Sequence, residues 1–154
     1  MKTPTLGYEE DTEIAKSEIA RIQLEEAISL FLSEKFLCAL TLAGAAEEVL
    51  ARLVNARGRP SAMEASAEAA IQLKEKVDLE GLAGVTEKSL FGVWNKARNA
   101  VKHHSEKEGE TVVLNMFDEA YWMIKRGLEN AKMLGVHIRN ETNFENWIIV
   151  NINM

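Results

Sequence analysis

The stretch EKFLCALTLAGAAEEVLARLVNARGR, residues 34–59, decides the fold of this chain. Its apolar residues recur every three or four positions, which is the spacing of one buried helix face. Gly58 follows them, and glycine is a typical residue just beyond the end of a helix. The stretch therefore predicts one long, largely buried helix. Its stripe consists of Phe36, Ala39, Leu40, Ala43, Ala46, Leu50, Leu53 and Val54, with Gly44 beside it.

A helix is predicted on each side of this one. Asp11 or Thr12 can cap a first helix. Ser61 and Glu64 have the spacing of a capping box, which predicts the start of a third helix that fades near Lys76. The first helix also has a buried stripe, formed by Ala20, Leu24, Ala27, Ile28 and Phe31.

The second half of the chain predicts two more helices. Thr86 can cap a fourth helix that runs to about His104. A fifth helix runs from about Asn115 to Met133 and is closed by Gly135. Proline appears only twice, so long stretches carry no helix breaker. We therefore predict an all-α, up-and-down bundle of four to five helices.

The chain has the length of a single domain. We expect a flexible lead at 1–10, a helical bundle at 11–137 and a short C-terminal tail at 138–154. Periodicity cannot assign the short apolar run in this tail to a helix or a strand. An exposed apolar run would promote aggregation, so we expect Trp147 and Ile149 to pack on the bundle or on a partner subunit.

Composition narrows the class of function. A net charge of -6 and a pI near 5.2 argue against a protein that coats nucleic acid non-specifically, because neutralising phosphates takes clustered lysine and arginine. Cys38 is the single cysteine, and no ligand spacing or glycine-rich loop predicts a metal site or a cofactor. Neither a secretion signal nor a membrane-spanning run is visible, so we expect a cytoplasmic protein.

The predicted fourth helix, TEKSLFGVWNKARNAVKHH at 86–104, has two distinct faces. At roughly 100° per residue its apolar side chains fall together, and we expect them to pack against the first two helices. His104 falls with them and is expected to be a hydrogen-bonded core or boundary histidine. The apolar face comprises Leu90, Val93, Trp94, Ala97 and Val101.

The opposite face of this helix has the groups that an RNA phosphodiester site needs. An imidazole can move protons near neutral pH, and a guanidinium can hold phosphate oxygens as negative charge builds. If His103 takes the 2′-OH proton and a second acid protonates the leaving 5′-oxygen, cleavage needs no metal and leaves a cyclic phosphate. One imidazole cannot easily do both, so a two-fold dimer is the economical arrangement. This face consists of Asn95, Arg98, Asn99, Lys102 and His103.

The segment ARNAVKHH, residues 97–104, resembles the R-x4-6-H motif of HEPN domains. Arg98 and His103 stand at the two motif positions, and the polar residue that commonly follows the arginine is here Asn99. Residues 45–50, AAEEVL, are similar to the A-x-E-x-x-L pattern of the family's second helix. The resemblance covers about residues 12–135 and implies a HEPN-like bundle of four or five helices.

The resemblance implies a metal-independent endoribonuclease without a cofactor. Arg98 and His103 from both protomers would line a composite cleft at a homodimer interface, and Asn99 would orient the histidine or contact RNA. Many members of the family are toxins silenced by a nucleotidyltransferase-type antitoxin. Lys102 and Asn95 are further candidates for binding or orienting the substrate. Glu47, Glu48 and His104 are candidates for a supporting role.

Three functions stay open on this basis. The first is a dimeric ribonuclease or a toxin derived from one, which requires Arg98 and His103 to face a shared accessible cleft. The second is a HEPN-fold module that binds a nucleotide, an RNA or a protein without cleaving it. The third is a structural helical dimer, in which both side chains are paired and occluded.

Overall fold

Helices form all the regular secondary structure in the described part of the chain. The computed structural model describes residues 6–8, 10–77, 84–104 and 109–152, which contain seven helices and no strand. The predicted all-α class is confirmed, whereas the predicted count of four to five helices is wrong. Most of the predicted lead and the last two residues of the tail lie outside the described residues.

The seven helices differ widely in length. None of them, within the described ranges, combines the length and the apolar character that crossing a bilayer requires. In chain order they are α1 (Lys16–Leu32), α2 (Phe36–Ala56), α3 (Ala62–Lys76), α4 (Glu87–Trp94), α5 (Lys96–Lys102), α6 (Met116–Leu134) and α7 (Glu141–Asn151).

Local capping signals predict several helix ends correctly. Ser61 and Glu64 form the reciprocal capping box of α3, and the Thr86 side chain caps α4. Gly58 and Gly135 follow α2 and α6 with φ values of 72° and 73°. This left-handed conformation is easy for glycine and lets the chain turn away from the helix.

The first helix is shorter than predicted. It begins at Lys16 rather than at Asp11 or Thr12, and its N-cap residue, Ala15, makes no capping hydrogen bond. Residues 11–14 are exposed, so no tertiary packing stabilises an extra helical turn there.

The predicted fourth helix is divided at Asn95 into α4 and α5. The carbonyl oxygen of Trp94, the last residue of α4, accepts a hydrogen bond of 3.3 Å from Nη2 of Arg126 on α6. A carbonyl group that has a tertiary partner does not need the N–H of the next helical turn. The break is thus stabilised by a residue far away in the sequence.

The core is centred on α2, which packs most extensively against α1 and α6. The predicted stripe of α1 is entirely buried. The stripe of α2 is also buried, apart from Phe36 and Leu53, which are half-buried. At one end of the core, aromatic rings from three other helices surround Phe31, with ring centroids 5.1 to 5.4 Å from its own. These rings belong to Phe36, Phe117, Phe144 and Trp147.

The tail forms a helix, α7, that packs on this core. Phe144 and Ile148 lie one helical turn apart and are buried, and Trp147 packs beside them. Ile149, which was expected to pack as well, is 72% exposed. Because successive residues of a helix are rotated by about 100°, Ile149 cannot share the buried face of Ile148.

The short helices α3, α4 and α5 form a less buried layer. Helix α5 contacts α2, and α3 contacts α4 and α6. Ala97 and Val101 of α5 pack on the core, but no residue of α4 is buried and Val93 is 67% exposed. The expected packing of one continuous apolar face is therefore wrong for α4, because the break at Asn95 separates it from the face of α5.

Candidate functional site

Arg98 of α5 lies directly on the surface of α2 at Gly44. A Cβ atom at position 44 would lie 2.8 Å from Cγ and 2.9 Å from Cδ of Arg98, which is closer than carbon atoms approach each other. Glycine at this position therefore makes the close contact possible. The small residues of the α2 stripe thus admit a charged side chain as well as neighbouring helices.

Two glutamates of α2 hold the Arg98 guanidinium. Nη1 of Arg98 lies 3.4 Å from Oε2 of Glu47 and 4.0 Å from Oε2 of Glu48. The Arg98 side chain is only 16% exposed and that of Glu47 only 2%. Lys102, one turn further along α5, lies 3.7 Å from the same Glu48 oxygen. Both predicted supporting glutamates are therefore gathered around Arg98.

Arg126 of α6 completes this buried charged cluster, and sequence reasoning missed it. Its guanidinium donates to Sδ of Met63 at 3.2 Å and, as described, to the Trp94 carbonyl. Burial lowers the pKa of Arg126, opposed by the charge of Glu47. The sequence of α6 contains no local pattern that distinguishes Arg126 from a solvent-exposed arginine. The partners that mark it as buried include residues of α2, α3 and α4.

The cluster is incompletely satisfied. Burial raises the pKa of the Glu47 carboxyl, and the positive charges of Arg126 and Arg98 oppose this effect. Four buried polar atoms of this cluster have no hydrogen-bond partner among the described residues, and buried polar groups usually have one. They are Oε1 of Glu47, Nε of Arg98, Nε of Arg126 and Oδ1 of Asn95.

Asn95 faces this cluster rather than the solvent. It is half-buried at the break between α4 and α5, and its Nδ2 donates to Sδ of Met63 at 3.4 Å. An amide in this position contributes to the packing of the break. It does not lie beside His103, with which the helical wheel groups it.

A second site, an open groove of about 880 Å³, lies at the C-terminal end of α5. Asn99 and His103 both line it, and the His103 N–H donates to the Asn99 carbonyl at 2.9 Å, so the two residues are one helical turn apart. Both side chains are exposed. The groove also receives the polar or charged side chains of Lys96, His104, Glu110 and Thr111.

His104 is an exposed residue of this groove, so its expected place in the core is wrong. The wheel assumes that the helix continues, but α5 ends at Lys102 and His103 is extended, with φ −132° and ψ 145°. Beyond that point the helical rotation no longer applies. Both histidines line the groove.

Arg98 and His103 do not share a cleft within one chain. Arg98 is largely occluded against α2, while His103 is exposed in the groove, whose lining does not include Arg98. Arg98 is thus paired and occluded, as the structural hypothesis requires, and the shared cleft that the ribonuclease hypothesis requires is not formed within one chain. The groove itself offers groups that can bind a phosphate and move protons.

Comparisons with known proteins provide no relative for this chain. No family model, no curated protein and no solved structure matches it. The geometry of the charged cluster and of the groove is therefore what supports a function.

Proposed function

We propose that this chain is a HEPN-like RNA-processing protein that cleaves RNA without a metal ion. The observation that carries this proposal is the groove in which His103 and Asn99 lie exposed, one helical turn apart. The exposed Lys96 lines the same groove and supplies a positive charge for a phosphate. An imidazole, an amide and an ammonium group thus line one open groove.

The proposed chemistry uses the nucleophile that RNA itself carries. His103 accepts the proton of a 2′-OH, and the 2′-oxygen then attacks the adjacent phosphorus. Lys96 and Asn99 hold the phosphate oxygens, on which negative charge increases in the transition state. The bond from phosphorus to the 5′-oxygen breaks as the new bond forms, and a second acid gives that oxygen a proton. The products are a 2′,3′-cyclic phosphate and a free 5′-OH.

Arg98 has a positioning role in this proposal. Its contacts with Glu47 and Gly44 fasten α5 to α2, and α5 carries Asn99 and leads directly into His103. The resemblance would place Arg98 in a composite cleft. Arg98 is instead paired with Glu47 and Glu48, so the simpler role for it is to support the helix that lines the groove.

The proposed assembly is a homodimer. Leu37, Val112 and Met116 are about half exposed and, together with the half-buried Val101, line an apolar depression beside the groove. Val112 belongs to both surfaces, so a second copy that covers the depression would lie next to the groove. The resemblance adds RNA and a nucleotidyltransferase-type antitoxin to the proposal, and the cytoplasmic location expected from the sequence is part of it as well.

The second candidate is a module of the same fold that binds a nucleotide, an RNA or a protein without cleaving it. The observation that favours it is the occlusion of Arg98, which leaves the groove without a guanidinium. Glu110, a carboxylate, also lines the groove and opposes the approach of a phosphate. Binding a ligand without cleaving it would require fewer catalytic groups in the groove.

The test is cleavage of a labelled single-stranded RNA by the wild type and by His103→Ala. We expect the wild type to leave 2′,3′-cyclic phosphate ends in the presence of a chelator, and His103→Ala to be at least about 100-fold slower. The matched control is His137→Ala, because His137 is exposed and lies outside the groove. If the wild type binds the RNA but cuts nothing, and His103→Ala binds equally well, the ribonuclease proposal fails and the binding module replaces it.

A further inference from the structure

We infer that His104 is the second proton-transfer residue of the groove, so that one chain carries both the base and the acid for RNA cleavage. This inference rests on the proposed function. It starts from the observation that His103 and His104 are both exposed and both line the same groove. Helix α5 ends at Lys102, so both histidines follow directly on that helix end.

Cleavage of RNA requires two proton transfers at opposite ends of one displacement. The bond from the 2′-oxygen to phosphorus forms as the bond from phosphorus to the 5′-oxygen breaks. The proton of the 2′-OH passes to one imidazole, and the other, protonated imidazole gives its proton to the leaving 5′-oxygen. The step balances with one neutral and one protonated imidazole and needs no other reactant.

We assign His103 as the base and His104 as the acid. His103 lies beside Asn99 and is one turn beyond it on the α5 backbone, which suits a residue that must be held against the attacking group. His104 lies one residue further along, beyond the end of α5. Two charged groups share the groove with these imidazoles, the ammonium of Lys96 and the carboxylate of Glu110. The ammonium favours phosphate binding.

The assignment changes what a dimer is needed for. If His103 needed its counterpart from a second chain, dilution below the dimer dissociation constant would abolish turnover. With both imidazoles in one groove, proton transfer is complete within each chain. A dimer then contributes to RNA binding or stability rather than to the acid–base step.

The experiment compares His103→Ala, His104→Ala and His137→Ala on two RNA oligonucleotides of identical sequence. One has the natural linkage, and in the other a sulfur replaces the bridging 5′-oxygen at the cleaved bond. A thiolate is a much better leaving group than an alkoxide and needs no proton from an acid. Rates are measured under single turnover with saturating protein, so that weaker binding does not enter.

We expect His104→Ala to cleave the natural RNA about 10²- to 10⁴-fold more slowly than wild type, and to come within about 10-fold of wild type on the sulfur-containing RNA. His103→Ala should remain slow on both substrates, because the 2′-OH proton must still be removed. His137→Ala should behave as wild type on both.

The possible failures are distinguishable. If the wild type cleaves neither RNA, the proposed function fails. If the wild type cleaves and His103→Ala does not, while His104→Ala matches wild type, the function stands and the role of His104 is refuted. A slow His104→Ala variant that the sulfur substrate does not rescue also refutes the role of acid. Circular dichroism of both variants checks that these exposed substitutions leave the helices intact.

Discussion

Glu25 on α1 and Glu47 on α2 are both buried carboxylates, and the protein satisfies them in opposite ways. Oε1 of Glu25 accepts hydrogen bonds from the backbone N–H and from Nε of Arg139, both at 3.1 Å. Its Oε2 accepts from Arg21 at 2.7 Å as well as from Arg139. Glu47, by contrast, has one long contact with Arg98 and an Oε1 atom without a partner.

The two pKa values move in opposite directions for this reason. Hydrogen bonds from the Arg139 side chain lower the pKa of Glu25 to about 2, and the Arg139 backbone N–H and Arg21 contribute in the same direction. Burial raises the pKa of Glu47, because the positive charges of Arg126 and Arg98 only partly compensate for the lost water. Ionised Glu25 is thus favoured by the folded protein, and ionised Glu47 is not.

The two carboxylates fasten different parts of the bundle. Glu25 joins α1 to Arg139, just before α7, and so fastens the C-terminal helix to the bundle. Glu47 lies under α5, the helix that carries the groove residues, in a cluster with several unpartnered polar atoms. Perturbed and incompletely satisfied groups are more common at functional sites than in a structural core.

The largest expected effect comes from removing each charge without changing the side-chain shape. Glu25→Gln should lower the free energy of unfolding at pH 7 by about 2 kcal/mol, because it weakens charged hydrogen bonds to a buried acceptor. The estimate is kept low because Arg139 is 72% exposed and water screens it. Glu47→Gln should change the same quantity by less than about 1 kcal/mol, because ionised Glu47 is already disfavoured by burial. Urea denaturation measures both, and equal losses in the two variants would remove the distinction.

Acid should expose the same contrast in the wild type. The folded pKa of Glu25 is lowered, so its contribution to stability is complete above the ordinary glutamate pKa and is lost as the pH falls towards about 2. We expect this loss to be about 1 to 2 kcal/mol between pH 5 and pH 2, after allowance for solvent screening. Glu47 has the opposite sign, because its raised pKa favours the protonated form at low pH. Denaturation midpoints across this range should fall less steeply for Glu25→Gln than for wild type, and parallel curves would contradict the assignment.

The smallest effect on stability should come from Gly44→Ala, which disturbs the Glu47 cluster without touching a charged residue. Alanine is favoured over glycine in a helix by up to about 1 kcal/mol, and the flexible Arg98 side chain can move away from the new Cβ. We therefore expect stability to change by less than about 1 kcal/mol. Displacement of Arg98 should nevertheless break its contact with Glu47. The pKa of Glu47 should then rise further, which NMR titration can measure.

Gly127→Ala on α6 is the matched control for this variant. Its Cβ would lie 3.0 Å from Cδ1 and 3.3 Å from Cδ2 of Leu24, which is fully buried and cannot move into solvent. This substitution should be less favourable for stability than Gly44→Ala and should leave the pKa of Glu47 unchanged. A shift of that pKa in both variants would mean that the Arg98 contact is not its cause.

Much of the helical framework is determined by the sequence alone. The stripes of α1 and α2, the capping box at Ser61 and Glu64, and the glycine after α2 all act over one or two helical turns. Side chains three or four residues apart lie on the same face wherever the helix forms, so their pattern is visible without any knowledge of the partner surface. The all-α class follows from the same local regularities.

The candidate site was predicted less completely. The polar residues of the predicted fourth helix lie in two separate places in the structure, which a single helical wheel cannot show. Asn99 and His103 line the groove, whereas Arg98 turns to Glu47 on α2, 51 positions away in the sequence. His104 follows the end of α5 and lies exposed at the groove.

Only the tertiary structure decided these features, and the physical reason is common to them. The break at Asn95 is stabilised by Arg126, which bonds the Trp94 carbonyl from a distant helix. Burial of Arg98 depends on the missing side chain of Gly44. The sequence determined where helices form, because that free energy comes from neighbours along the chain. It could not determine which charge is buried or where a helix is interrupted, because those depend on atoms that only folding brings together.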